Sequence, residues 1–262
     1  MTQNSTALVT GASSGIGAVY ADRLARRGHD LVLVARDRAR LDALAARLAR
    51  DTGRRIEVLP ADLTDAADLS RVEARLRADA AIAMLVNNAG MSASGTLATA
   101  DLDRLETMVR LNTIAPMRLA AAAVSGFLDR GAGTVINIAS VLALAPELFN
   151  GVYSGTKAFV LNLSQSMQQE VGGKGIRVQA VLPGATRTEI WERAGVDMEE
   201  FPDGMLMGVE ELVDAALAGL DQGETVTIPA LPDAAEWEAF TAARLALGPN
   251  LSRDRAAARY SA

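Results

Sequence analysis

Apolar side chains gather in seven short runs: Ala7–Thr10, Leu31–Ala35, Ile56–Leu59, Met84–Asn87, Thr134–Ala139, Val178–Leu182 and Thr225–Ile228. Each is four to six residues long, rich in Val, Ile and Leu, with little polar alternation. That is the mark of strands buried on both faces. Between them the apolar spacing turns helical, at about 16–28, 38–51, 66–77, 102–129, 154–172 and 209–219. Strands alternating with helices of this length predict the α/β class, with a doubly wound parallel seven-stranded sheet and helices on both faces. No Pro- or Ser-rich linker and no repeat interrupts the pattern, so residues 1–262 read as a single domain. Two segments break the rhythm. Gly184–Gly208, carrying Trp191, Phe201 and Pro202, is too long for an ordinary connection and reads as a substrate lid. A C-terminal extension begins at about residue 229 and holds a further helical pattern near Ala234–Leu247, expected to serve packing or subunit contact.

Composition narrows the chemistry. Half of the 262 residues are hydrophobic, enough for a large core. With no cysteine and one histidine, His29, a thiolate nucleophile, a disulfide framework, a Cys-based metal site and a His-based triad all drop out. A net charge of −6 without a basic stripe argues against nucleic acid as a partner. The N-terminus lacks the basic and apolar regions of a signal peptide. The uncharged run at 80–100 is broken by Asn87, Asn88, Gly90 and Ser92, as a strand followed by a polar loop and not as a membrane span. The expectation is a cytoplasmic protein with no membrane partner. Catalysis would then rest on Ser, Tyr, Lys, carboxylates or a cofactor. Only two of the 26 basic residues are lysines, Lys157 and Lys174, which makes the position of each informative.

The turn Thr10-Gly11-Ala12-Ser13-Ser14-Gly15-Ile16-Gly17 follows the first strand and opens the first helix. Glycines let the backbone turn tightly and approach a diphosphate, and the helix N-terminus offers free N–H groups and a positive dipole end. Gly11, Ser13, Ser14, Gly15, Ile16 and Gly17 are therefore candidate cofactor-binding residues of a Rossmann-type fold. The second strand ends in Ala35-Arg36, where an NAD-preferring enzyme carries a carboxylate. Ala35 leaves room, and Arg36 is placed to pair with the 2′-phosphate of NADP(H), which makes NADP(H) the expected cofactor over NAD(H). The alternative is an arginine merely solvated at a helix start. Asn87-Asn88-Ala89-Gly90 closes the fourth strand, and open α/β sheets bind ligands at the carboxyl ends of their strands. Tyr153 and Lys157 lie one helical turn apart on one face, where an ammonium would stabilise a phenolate and lower the tyrosine pKa. Ser140, after the fifth strand, is placed to reach the same substrate oxygen.

These motifs, with Asp62-Leu63, Asn112 and Pro183-Gly184-x-x-x-Thr188, resemble the short-chain dehydrogenase/reductase family in its branch of about 250 residues, over the chain up to about residue 228. The resemblance implies an NADP(H)-dependent oxidoreductase that moves a hydride between nicotinamide and a carbonyl or alcohol, with Tyr153 as general acid/base. It implies that Asp62, beside Leu63, holds the adenine amino group, that Asn87 lies against the adenosine ribose, and that Ala89 and Gly90 also bind the cofactor. Asn112 would position a relay water, and Lys157 would hold the nicotinamide ribose. Pro183, Gly184, Thr186 and Thr188 would meet the nicotinamide end. Members favouring NADP often carry a basic residue in the Gly-rich turn, where this chain has Ser14, so the NADP(H) preference rests on Arg36. The substrate pocket is expected from Ser92, Leu142, Phe149 and Trp191, with Met198, Phe201, Met205 and Met207 of the lid. That lining suits a small or medium-sized lipophilic ketone, aldehyde or alcohol as substrate. The resemblance also implies a homodimer or homotetramer pairing through the helices near 102–129 and 154–172. The competing reading is a non-catalytic NADP(H)-binding regulator of the same fold. His29 is expected at the surface, and Arg38, Arg40, Arg47 and Arg50 on a solvated helix face.

Overall fold

A computed structural model describes residues 5–191 and 197–260. Seven parallel strands form one sheet: β1 (Thr6–Thr10), β2 (Asp30–Ala35), β3 (Ile56–Pro60), β4 (Ile82–Asn87), β5 (Gly133–Ile138), β6 (Ile176–Val181) and β7 (Val226–Thr227), in the order β3-β2-β1-β4-β5-β6-β7. Helices α1 (Gly15–Arg26), α2 (Arg38–Thr52), α3 (Ala66–Ala78), α4 (Leu102–Val109), α5 (Ala115–Arg130), α6 (Gly151–Val171) and α7 (Val209–Gln222) supply the crossovers. All seven expected strands are present, and the chain has the Rossmann-type α/β fold. Successive strand residues serve opposite layers. Ala7 and Val9 of β1 pack with Tyr20 and Leu24 of α1 and Leu212 and Leu217 of α7. Leu8 packs on the other face with Leu69 of α3 and Leu119 and Phe127 of α5. Both faces are dry, which is why the strands show so little polar alternation. Each buried Val, Leu or Phe among them contributes roughly 1.5–3 kcal/mol relative to exposure.

Side chains fix where the helices begin. Asp37, Asp65, Asp101 and Asn150 each accept backbone N–H bonds from the first turns of α2, α3, α4 and α6. The stretch at 102–129, expected as one helix, is divided by a π-helical turn at Arg110–Ile114. Asn112 sits in this turn, only 2% exposed. Its Oδ1 accepts from Met91 N at 3.0 Å, and its Nδ2 donates to Met91 O at 2.9 Å and Thr156 Oγ1 at 3.1 Å. Those three bonds tie the turn to the loop after β4 and to α6. A turn of this kind frequently marks a functional site.

The chain forms two compact units, Met1–Pro229 and Ala230–Ala262. In the second, α8 (Ala234–Ala246) buries none of its residues, and Trp237 stacks on Phe240 with ring centroids 5.4 Å apart. One minor expectation changes: His29 is half-buried, with Nδ1 2.8 Å from Ser5 Oγ, whereas Arg47 is exposed as expected and reaches the buried Asp22 at 2.9 Å.

Candidate active site

The carboxyl ends of the central strands open onto one cavity of about 1050 Å³. Its volume is at the upper end for small-molecule sites. β1 ends at Thr10, whose Oγ1 accepts from Asn88 N and Ala89 N at 3.0 Å and donates to Val86 O at 3.2 Å, stitching β1 to β4. Gly11, at φ +65°, has no room for a side chain: a Cβ would sit 2.7 Å from Asn88 Nδ2 and 2.9 Å from Ala89 Cα. Ser13, Ser14, Gly15 and Ile16 line the cavity beside it. Gly17 lies behind the cavity wall, where a Cβ would collide with the Gly11 carbonyl, so this glycine seats α1 against the turn.

Asn87 is 5% exposed and does not line the cavity, donating from Nδ2 to Pro116 O at 3.1 Å and to Asn137 Oδ1 at 2.9 Å. The neighbouring Asn88, missed in the sequence, lines the cavity and donates from Nδ2 to Thr10 O at 2.9 Å and Gly11 O at 3.3 Å. Neighbouring residues at a strand end point to opposite sides, so only one of the pair faces the cleft. Ala89 and Gly90 line it as expected.

At the end beyond β2, the cavity is walled by Ala35, Arg36, Asp62 and Leu63. Arg36 Nη1 lies 3.9 Å from the Asp62 carboxylate, with both side chains substantially exposed. Partial burial works to raise the Asp62 pKa. Bonds from the Thr64 hydroxyl (2.7 Å) and N–H (2.9 Å), with the Arg36 charge, outweigh it and hold the carboxyl below its ordinary range. Asp62 is thus an ionised acceptor. Arg36 extends into solvent, with room for an anion beside Ala35.

At the opposite end, Asn150 caps α6, and Tyr153 and Lys157 project from its first two turns. Lys157 is 6% exposed, its ammonium donating to Ile138 O at 2.9 Å and lying 5.6 Å from the Tyr153 ring centroid. Ser140 Oγ accepts from Leu142 N at 3.2 Å and donates to Pro183 O at 3.4 Å, beside the Tyr153 phenol. Gly90 sits between Asn112 and Lys157: its Cβ position would be 3.3 Å from Asn112 Oδ1 and 3.7 Å from Lys157 Nζ. Asn112 itself does not line the cavity, because its amide is committed to Met91 and Thr156. The expected tyrosine pKa shift is reversed. Burial pushes Tyr153 up to about 12, with the Ser140 hydroxyl pulling the other way, and burial pushes Lys157 down to about 8.

Pro183, Gly184, Thr186 and Thr188 line the cavity between the two ends. Beyond them runs an aromatic wall. Phe149 meets Tyr153 edge-on at 5.8 Å and Trp191 at 6.2 Å, and Trp191 meets Phe201 at 4.9 Å. Leu142, Leu148, Met91 and Met205 complete this apolar side, and Ser92 lines it with its hydroxyl buried. Met198 and Met207 do not line it: Met198 is exposed, and Met207 packs on the sheet core. Part of the expected lid, residues 192–196, lies outside the described residues.

The family model for short chain dehydrogenases matches residues 5–199, and the chain belongs to the short-chain dehydrogenase/reductase family of oxidoreductases. A short-chain dehydrogenase from Sphingobium yanoikuyae, solved in complex with NADPH, superposes with a TM-score of 0.95 at 55% identity, over 98% of this chain and 100% of that one. The bulky-bulky ketone specific alcohol dehydrogenase from Comamonas testosteroni gives a TM-score of 0.91 at 50% identity, over 99% of this chain and 100% of that one. An uncharacterized oxidoreductase of Staphylococcus epidermidis is 30% identical over 223 residues, 85% of this chain and 93% of its own.

Proposed function

We propose that this chain is an NADP(H)-dependent carbonyl reductase, reversible as an alcohol dehydrogenase, acting on bulky lipophilic ketones. The carrying observation is that one cavity joins the Gly-rich turn and Arg36 to Ser140, Tyr153 and Lys157, with the aromatic wall beside Tyr153. The NADPH held by the Sphingobium protein and the ketone specificity of the Comamonas enzyme support the same reading. The backbone cradle at Gly11–Ile16 fits a diphosphate at the N-terminus of α1. Asp62 and Leu63 would hold the adenine, Arg36 the 2′-phosphate, and Thr186 and Thr188 the nicotinamide side. When bound, the nicotinamide supplies or accepts the hydride.

The chain's own residues handle the substrate oxygen and the proton. Ser140 orients the carbonyl through its hydroxyl. Tyr153, a protonated phenol at neutral pH, donates its proton to the oxygen as negative charge develops there. Lys157, fixed on Ile138 O, stabilises the phenolate left behind. Asn112, across Gly90 from Lys157, positions the loop at Met91, and through that turn of backbone the water that would return the proton. Phe149, Trp191 and Phe201 exclude solvent from the reacting oxygen. A homodimer or homotetramer belongs to the same reading, supported by the exposed apolar side chains of Val109, Met117 and Phe159 on α4, α5 and α6, and a cytoplasmic location is proposed with it.

A panel pairing small dialkyl ketones with ketones bearing two large aryl or alkyl groups, each with NADPH and NADH, tests the proposal. Turnover with NADPH on the bulky ketones is expected to lead. NADPH binding without turnover on any member would instead support the regulator. Arg36→Leu is expected to weaken NADPH by about 1.5–3 kcal/mol, the scale of a hydrogen bond to a charged group, and to leave NADH nearly unchanged. Equal NADH and NADPH affinity in the unmodified chain, measured by fluorescence titration, would remove the role assigned to Arg36.

A further inference from the structure

We infer that Arg40 and Glu189 form a strap across the cofactor cleft that sets how fast the cofactor leaves. The inference rests on the proposed reading of this cavity as the nicotinamide cofactor site. Arg40 stands in the first turn of α2, at the end of the cavity assigned to the adenosine. Glu189 comes 149 positions later, on the segment that follows β6. Arg40 Nη1 donates to both carboxylate oxygens, at 3.0 and 2.9 Å, and both residues line the cavity.

The neighbours of Glu189 give this contact its meaning. Thr188 packs against the Gly-rich turn, its methyl 3.4 Å from where Gly15 would carry a Cβ. Two residues beyond Glu189, Trp191 enters the aromatic wall and donates from Nε1 to Thr186 O at 2.7 Å. The base of the segment is paired to Met207, through Met207 N to Ala185 O and Arg187 N to Met207 O, both at 3.0 Å. One short stretch therefore passes from the substrate wall, over the diphosphate cradle, to α2. The Arg40–Glu189 pair fastens its far side. Asp37 holds Arg40 in place, accepting from its backbone N–H at 3.0 Å and lying 3.5 Å from its guanidinium. Because the pair is exposed, it slows release without locking the cleft.

Release rates of NADPH and NADH, read by stopped-flow displacement of cofactor fluorescence, test the strap without requiring turnover. Glu189→Gln and Arg40→Gln should each speed release of both cofactors alike, by about two- to fivefold, the range of an exposed ion pair. Arg40→Gln combined with Glu189→Gln should speed release no further than either substitution alone, because the two act through one contact. Salt at about 1 M should erase the differences, since charges are then screened within about 3 Å. If Glu189→Gln leaves both rates unchanged, the strap is overturned. If Arg40→Gln speeds NADPH alone, Arg40 is a 2′-phosphate ligand instead and the strap is again overturned. Failure of the unmodified chain to bind either cofactor would overturn the cofactor reading along with the strap, and it shows before any variant is compared.

Discussion

Tyr153→Phe is expected to keep the fold and lower kcat for ketone reduction by about 10²–10⁴-fold, the usual contribution of a positioned general acid. The substitution removes one hydroxyl and keeps the ring. That ring meets Phe149 edge-on at 5.8 Å and packs with Leu105 and Met108, contacts that phenylalanine makes equally well. The lost group is the one that matters to the reaction. With its pKa pushed up to about 12 by burial, the phenol is fully protonated at neutral pH and ready to give its proton to a developing alkoxide. NADPH affinity should change by less than about 1 kcal/mol, because a group acting mainly in the transition state lowers kcat without uniform loss of binding. Single-turnover kinetics on a good ketone separate the two. A variant that retains most of its activity would place the acid elsewhere.

Lys157 should behave differently, because it is assigned two roles. Lys157→Met is expected to cost about 10²-fold or more in kcat, the lower range for loss of acid–base support, and also to weaken NADPH. Lys157→Arg should rescue little, since a planar guanidinium does not replace the compact ammonium seated on Ile138 O. The pH profile carries the sign. Burial pushes the Lys157 pKa down to about 8, so the ammonium that stabilises the phenolate is present below that pH and lost above it. Reduction should therefore hold a plateau below about pH 8 and fall above it. In Lys157→Arg, the residual activity should show no break near pH 8, because guanidinium does not titrate there. A profile with the opposite slope would remove Lys157 from this role.

The fold was legible because its evidence is local. Seven apolar runs between helical stretches leave few arrangements, and each run became a strand. The Gly-rich turn and the Tyr153–Lys157 spacing were legible for the same reason, since neighbours along one helix or one turn stay neighbours in space. Three features depend on information that no short window holds. The choice between Asn87 and Asn88 is a question of strand parity at a chain end, settled only when Thr10 pairs with the backbone beyond β4. The π-turn at Arg110–Ile114 inserts into an apolar pattern that reads equally well as one helix. Arg40 reads as a solvated helix residue until a carboxylate 149 positions away is brought to it. The tyrosine pKa belongs with these: spacing places the ammonium one turn away but does not give the depth of burial that pushes the phenol up.

The strand order also bears on how the chain comes to be made. β1 is synthesised first yet lies inside the sheet, with β2 on one side and β4 on the other. Its first edge is covered once β2 and α1 emerge. Its second edge waits for β4, about 72 residues after Thr10, or roughly 4–14 s at ~5–20 residues per second of synthesis. Over that interval Ala7, Leu8 and Val9 present an unpaired apolar edge, a template for pairing with other nascent chains. Slower elongation lengthens that interval, and a higher chain concentration raises the chance of such pairing, however stable the finished sheet.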